Sequence, residues 1–364
     1  MNKKVLFIYE RKLSELPPLL TLIQLLKLKD YSVTVTVSEI ENQYMEEGVK
    51  QVEYLRRFKS NNKITRLINR KIVGKIFFKS SIPVLIEKES YDLIWVIVQH
   101  SPDNLFSLKK NFNNGKKYYC TIYELFDTLP QTLKRIKPIA QRAHKVIVPE
   151  FNRAHILRSY FNLDKTPTVM PNKPIDLPKL RDLDVLKLLA KFEGKKIILY
   201  QGHISRVRNV ESICKAVEKL NNFVFVMMGK SNDGYANELI NKYPNVEHID
   251  FIAPPRHLEF TSKAYIGIVA YSHISLNGIF CAPNKIWEYS GYGVPMICND
   301  IPGLVYTVEQ SHCGLCIDFN EEISVLNAIE EIEQNHAFYS ENAKNMFNSS
   351  NLSDIVDEII GKGK

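Results

Sequence analysis

Residues 281–295 read CAPNKIWEYSGYGVP and gather side chains that handle phosphate: a proline turn, Asn284, then Lys285 and Glu288. Asn284 reads as the N-cap of a short helix, and the three-residue spacing sets Lys285 and Glu288 on one side of its first turns. A helix start already carries partial positive charge and free N–H groups, so a lysine there is repelled unless an anion lies opposite. A phosphate meets that need. A second such stretch lies upstream, where Gly202-His203-Ile204-Ser205-Arg206-Val207-Arg208-Asn209 follows the apolar run KKIILY and precedes VESICKAVEKL. A glycine turn with two arginines before a helix converges backbone N–H groups and guanidinium forks on an anion, although for this stretch alone surface arginines on a loop explain the residues equally well. Both stretches follow strands of one expected sheet. Two anion sites on one rim suggest a diphosphate.

Other arrangements carry less. Asp182-Leu183-Asp184 imitates a metal-binding acid pair but does not follow a strand, and it reads as coincidence. Cys313-Gly314-Leu315-Cys316 stands without a second cysteine pair or a histidine cluster, inside an expected strand, so its thiols read as core. His100, His144, His155, His257, His273 and His312 occur singly, and no metal or cofactor is expected. Gly291-Tyr292-Gly293 lacks the third glycine of a dinucleotide loop and reads as a helix stop.

These residues need a scaffold. With 364 residues, 45% of them hydrophobic, the chain can bury one large or two ordinary cores, and its length favours two domains. Strands are expected at KVLFIYE, YSVTVTV, YDLIWVIV, KYYCTI and KVIVP in the first half. The second half offers KKIILY, FVFVMM, VEHIDF, AYIGIVAY, VPMIC and CGLCID. Continuous apolar strands alternating with helices imply parallel sheets covered on both faces. The pattern breaks around Pro171-Asn172-Lys173-Pro174, which marks a domain boundary. The fold class expected is therefore α/β, with two doubly wound domains and ligands at the carboxyl ends of the strands, facing one another across a cleft.

Six scattered cysteines fit a reducing compartment, and the N-terminal run VLFIY is too short for a signal sequence or a membrane span, so a cytoplasmic protein is expected. Charge is unevenly divided. Residues 1–185 hold 32 Lys and Arg against 19 Asp and Glu, whereas the remainder holds 16 against 21. The segment 50–82 contains ten basic residues and one acid, with Ile64, Leu67, Ile68, Ile72, Ile76 and Phe77 at helical spacing. That is a basic amphipathic helix, either a solvated face or a contact for an anionic membrane leaflet or an anionic acceptor. With no recognition motif, nucleic acid is not an expected partner.

The order strand-G-x-x-x-x-x-R-helix, then APNK-x-x-EY-x-x-x-G-x-P, resembles the second domain of the glycosyltransferase family 4 group. HIDFIAPPRHLEFTSKAYIGIVAYS is similar to that family's base-binding loop and following strand, and PEFNRAHILRSYFNL before VMPNKP resembles the end of its first domain. The resemblance implies two facing Rossmann-like domains of GT-B type: an acceptor-side domain over 1–172, a nucleotide-sugar-binding domain over 173–345, and a C-terminal helix over 346–364 packing back on the first. It implies a hexosyltransferase that moves sugar with retention from a nucleotide-sugar to a glycan or lipid-linked acceptor, in surface polysaccharide, lipopolysaccharide or capsule synthesis. It places Gly202, His203, Arg206, Arg208, Asn284 and Lys285 at the diphosphate, Glu288 at the ribose hydroxyls, and Ile252 and Ala253 at the base. Arg208 and Lys285 are then the leaving-group side of catalysis, and Glu124 and Asp127 of YELFDTLP the acceptor side, with an ordinary strand-to-helix cap as the alternative for those two. Departures from the family pattern are Phe280, eight positions before Glu288, where a glutamate is usual, and Phe126, where a histidine often precedes the aspartate. They leave open a catalytically silent partner or glycan-binding subunit.

Overall fold

The computed structural model describes residues 3–54, 62, 72–100, 102–108, 113, 115–178 and 181–361. The chain forms two compact units, one of residues 1–172 with 352–364, the other of residues 173–351. The first contains a seven-stranded sheet built from β1 (Lys3–Ile8), β2 (Tyr31–Val37), β3 (Lys50–Glu53), β4 (Leu93–Val98), β5 (Tyr118–Ile122), β6 (Lys145–Val148) and β7 (Thr168–Val169), in the order β3-β2-β1-β4-β5-β6-β7. All its pairings are parallel. The central strand β4, LIWVIV, is buried at every position, as a strand covered on both faces must be.

The second unit repeats the scheme with β8 (Lys196–Gln201), β9 (Phe223–Met228), β10 (Val246–Ile249), β11 (Ile266–Val269), β12 (Met296–Asn299) and β13 (Gly314–Ile317), in the order β10-β9-β8-β11-β12-β13, again all parallel. Alternate residues of its strands feed two separate cores. Ile198, Tyr200, Phe225 and Met227 pack on one face, and Ile197, Leu199, Val224 and Val226 on the other. Each such side chain contributes about 1.5–3 kcal/mol on burial, which is why a period-two pattern of uniformly apolar residues commits the segment to an interior strand.

Three expectations change. Lys50–Glu53, at the head of the basic segment read as helical, is the edge strand β3, paired with Thr34–Val37. Helix resumes over the described residues 72–89, while Ile64, Leu67, Ile68 and most of the basic side chains of that segment lie outside the described residues. The helix His336–Ser349 runs unbroken past residue 345, so the second unit closes at Asn351. The following helix, Leu352–Ile360, buries Leu352, Val356 and Ile359 along one face within the first unit. Its Asp357 meets the Lys29 ammonium at 2.6 Å, at the end of the helix Pro17–Leu28. Among the described residues no helix is long and apolar enough to cross a membrane.

Candidate functional site

In the second unit the strand numbering descends to β8 and then jumps to β11, so the loops leaving these two neighbours part in opposite directions and open a crevice at their carboxyl ends. Gly202 leaves β8 at φ +133°, and its N–H donates to Met228 O at 2.9 Å. Gly229 leaves β9 at φ +151°, and a Cβ there would lie 1.8 Å from the Gly202 carbonyl oxygen. A Cβ on Gly202 itself would come within 3.2 Å of Lys285 Nζ. Only glycines let the two strand ends and the lysine approach this closely.

Arg208 closes the short turn Arg206–Arg208, and its Nη1 donates to the carbonyl of Ala270, just past β11, at 3.1 Å. Its guanidinium lies 4.3 Å from the centre of the Tyr271 ring. Lys285 Nζ lies 4.6 Å from the Tyr200 ring centre and 5.8 Å from that of Tyr271, so the two cations share an aromatic neighbour. Burial pushes the Lys285 ammonium down to about 7, the Arg208 charge pushes the same way, and Glu288 opposes both. This is a cationic pocket short of negative charge.

The helix that carries Lys285 spans Asn284–Gly291, and its N-cap is Pro283, not Asn284. Pro283 supplies the extended backbone of a cap but has no side-chain acceptor, so the N-cap residue leaves the N–H groups of the first turn without a capping side chain. One turn on, a Glu288 oxygen accepts from Gln201 Nε2 at the end of β8 and lies 3.5 Å from His257 Nε2. Tyr289 holds the helix against the sheet through its hydroxyl, which donates to Leu199 O at 2.8 Å.

Not every expected residue joins this group. Arg206 turns to the helix Tyr235–Lys242, where it pairs with Glu238 and stacks on Tyr235, because an acid is available there and the pocket already holds two cations. His203 is exposed, and its carbonyl accepts from the Tyr200 hydroxyl at 2.8 Å. Ile252 and Ala253 lie in the loop after β10, the first half-buried and packed on the core, the second exposed. Phe280 ends the turn Leu276–Ile279, whose cap is Ser275. Asp182 caps the helix Leu183–Leu189, and Arg256 beside it holds its carboxyl down to about 2. Cys313 contacts Met346 Sδ at 3.3 Å in the core, its thiol pushed up to about 12 by burial. Gln201, Thr261, His257 and Tyr271 complete the pocket, and the motif reading passed over them. Gln201 stands beside Gly202, and the other three lie within the stretch 248–272 that resembles a base-binding loop and strand, but no role is read for any of them.

The first unit has its own break in strand order between β1 and β4. There the Tyr9 hydroxyl donates to Gln99 Oε1 at 3.0 Å, and the buried Glu10 carboxylate accepts from the N–H groups of Asn104 and Leu105 at 3.0 and 2.6 Å. Glu124, just past β5, lies 3.8 Å from His100 Nδ1. Asp127 follows buried Phe126, which adopts φ +56°. The next helix, Pro130–Arg142, has Leu129 at its cap.

Residues 186–349 match the family described as glycosyl transferases group 1. The matched residues lie within the second unit. The chain as a whole is similar to a glycosyltransferase from Rickettsia africae ESF-5, with TM-score 0.74 and 14% identity over 99% of this chain and 97% of that one. It is similar to Anabaena HepE in complex with UDP-glucose, with TM-score 0.71 and 14% identity over 99% and 98%. Sucrose-phosphate synthase from Thermosynechococcus elongatus gives TM-score 0.70 and 16% identity over 99% and 98%. No curated protein sequence matches the chain. The chain has the two-domain GT-B fold, two parallel-stranded α/β units.

Proposed function

We propose that this glycosyltransferase takes a sugar from a nucleotide-sugar and passes it to a glycan or lipid-linked acceptor in surface polysaccharide synthesis, lipopolysaccharide or capsule, with retention at the anomeric carbon. The observation that carries the donor assignment is the convergence of Arg208 and Lys285 at the β8–β11 crevice, two cations with aromatic rather than acidic neighbours. A diphosphate supplies the charge that this pocket lacks, and the uncapped N–H groups at the start of the helix Asn284–Gly291 add donors. Glu288 accepts from the ribose hydroxyls, and Ile252 and Ala253 border the base. When the bond from sugar to phosphate breaks, negative charge grows on the departing diphosphate, where fixed cations are worth on the order of 3 kcal/mol each. Those cations are sufficient to carry the leaving group without a metal. Glu124 and Asp127 are proposed for the acceptor. Anabaena HepE, a structural neighbour, is bound to UDP-glucose, which supports the donor class. The protein works at the cytoplasmic face of a membrane, which the exposed Ile72, Ile76 and Val84 among Lys75 and Lys79 support.

A panel of nucleotide-sugars, scored by thermal shift and then by nucleotide release with acceptor-lipid extracts, tests this reading. Arg208→Ala and Lys285→Ala should each lower turnover about 100-fold, far more than Phe280→Ala. Phe280 favours a second reading, a silent partner, because an apolar ring stands where the resemblance places a sugar-binding acid. Tight nucleotide-sugar binding without release, and an Arg208→Ala variant altered in binding alone, would establish that second reading.

A further inference from the structure

Glu288 is not free to choose its orientation. Both of its protein contacts fall on one oxygen: Gln201 Nε2 donates to Oε2, and His257 Nε2 lies 3.5 Å from the same atom. Among the described residues Oε1 has no hydrogen-bond partner. Gln201 is itself directed. On one side the acceptor-only carboxylate takes its NH₂, and on the other its Oε1 lies 2.7 Å from the buried Thr261 hydroxyl, which donates its one proton there. The reverse amide orientation would set an oxygen against Glu288. Thr261 also lies 3.1 Å from the carbonyl of His257, one turn earlier in the helix His257–Thr261, so the hydroxyl ties the amide to the helix that presents the imidazole. His257 Nδ1 is buried without a partner among the described residues, and a carboxylate at the other nitrogen keeps the donor proton on Nε2.

We propose that Gln201, oriented by Thr261, and His257 are positioning residues that clamp Glu288 Oε2 and reserve Oε1 for the two vicinal hydroxyls of the donor's ribose, making this relay the determinant of ribose over 2′-deoxyribose. The proposal rests on the donor reading of Glu288 given above. A carboxylate whose one oxygen accepts from Gln201 and faces the His257 ring nitrogen at 3.5 Å is restricted in rotation, and the second oxygen then meets both hydroxyls in one geometry. A freely rotating carboxylate would accept from one hydroxyl as readily as two, and a deoxy sugar would lose little.

The test titrates uridine, guanosine and adenosine diphosphates, each with its 2′-deoxy form, into the full chain by calorimetry, with inorganic pyrophosphate as the probe of the cationic pocket. The tightest diphosphate should be preferred over its deoxy form by about tenfold, the order of one charge-assisted hydrogen bond. Gln201→Met and His257→Ala should each reduce that preference several-fold while leaving pyrophosphate affinity unchanged. Thr261→Val should do the same, and Thr261→Ser should restore it, which separates the relay from a failure to fold. In a Glu288→Ala background Gln201→Met should change nothing further, because the relay acts through that carboxylate. Additive losses in the double variant, or equal losses of pyrophosphate binding, would overturn the clamp while leaving the donor site standing. If no diphosphate binds the unaltered chain, the donor reading fails and the clamp falls with it.

Discussion

Lys285 is a cation held beside two tyrosine rings and a guanidinium, and its affinity for a proton depends on what else enters the pocket. Its ammonium is pushed down to about 7 in the free protein, first by burial and then by Arg208. A bound diphosphate favours the charged form, so the complex keeps a proton that the free protein has half lost at pH 7. The sign follows. Below pH 7 both states are protonated and affinity is at its plateau; as pH rises above 7 binding must bring a proton with it, and affinity falls toward about tenfold per pH unit. A nucleotide-sugar is the proper probe, because its diphosphate diester does not titrate in this range. Calorimetry at pH 6, 7 and 8 in buffers of different ionisation enthalpy should show proton uptake that grows with pH, and Lys285→Arg should flatten it. Affinity constant from pH 6 to pH 8 would remove this protonation from the binding step.

At the level of elements, the pocket is made by how tightly strand ends meet. Gly202 and Gly229 bring the exits of β8 and β9 into contact, and Lys285, 83 residues on in sequence from Gly202, lies against the first of them. A methyl group at Gly229 would stand 1.8 Å from a backbone oxygen, in a conformation that side-chain-bearing residues rarely adopt. Gly229→Ala should therefore cost about 2–4 kcal/mol of stability in denaturant unfolding and weaken diphosphate binding as well, since the Gly202 loop must move to relieve the clash. An unfolding midpoint equal to that of the unaltered chain would mean that the two exits separate without consequence. The helix Asn284–Gly291 illustrates how far local reading reaches. Its existence and its lysine and glutamate were legible from spacing, whereas its first residue was not, because Pro283 has the extended backbone of a cap and displaces Asn284 inward by one position.

On the scale of the whole chain, positive charge concentrates in the first half, with 32 basic against 19 acidic residues over 1–185. The described helix 72–89, which begins inside the basic segment 50–82 and runs beyond it, exposes Ile72, Ile76 and Val84 with Lys75 and Lys79. An anionic bilayer complements both features. Co-sedimentation with anionic liposomes should fall as salt is added, and replacing Lys75 and Lys79 with glutamine should weaken it by about 1 kcal/mol per charge. Equal sedimentation with neutral and anionic liposomes would return this surface to the solvent.

What the sequence determined by itself is what depends on neighbours within a few residues. LIWVIV and FVFVMM have no polar side to turn outward, so they could only be strands buried on both faces, and two series of such strands imply two doubly wound units. Lysine and glutamate one turn apart after a proline turn, and a glycine before paired arginines, are likewise local signals, and the proposed anion site starts from them. The tertiary structure decided what depends on partners far along the chain. Which arginine enters the pocket was settled by Glu238, 32 residues beyond Arg206, and by the carbonyl of Ala270, 62 residues beyond Arg208. The short strands β3 and β7 exist because β2 and β6 offer hydrogen-bonding edges, which KQVE and TV do not announce. Gln201, Thr261 and His257 come to bear on Glu288 only because the end of β8 and the helices His257–Thr261 and Asn284–Gly291 meet at one rim of a sheet, and the strand order that brings them there is a property of long-range pairing that no local pattern encodes.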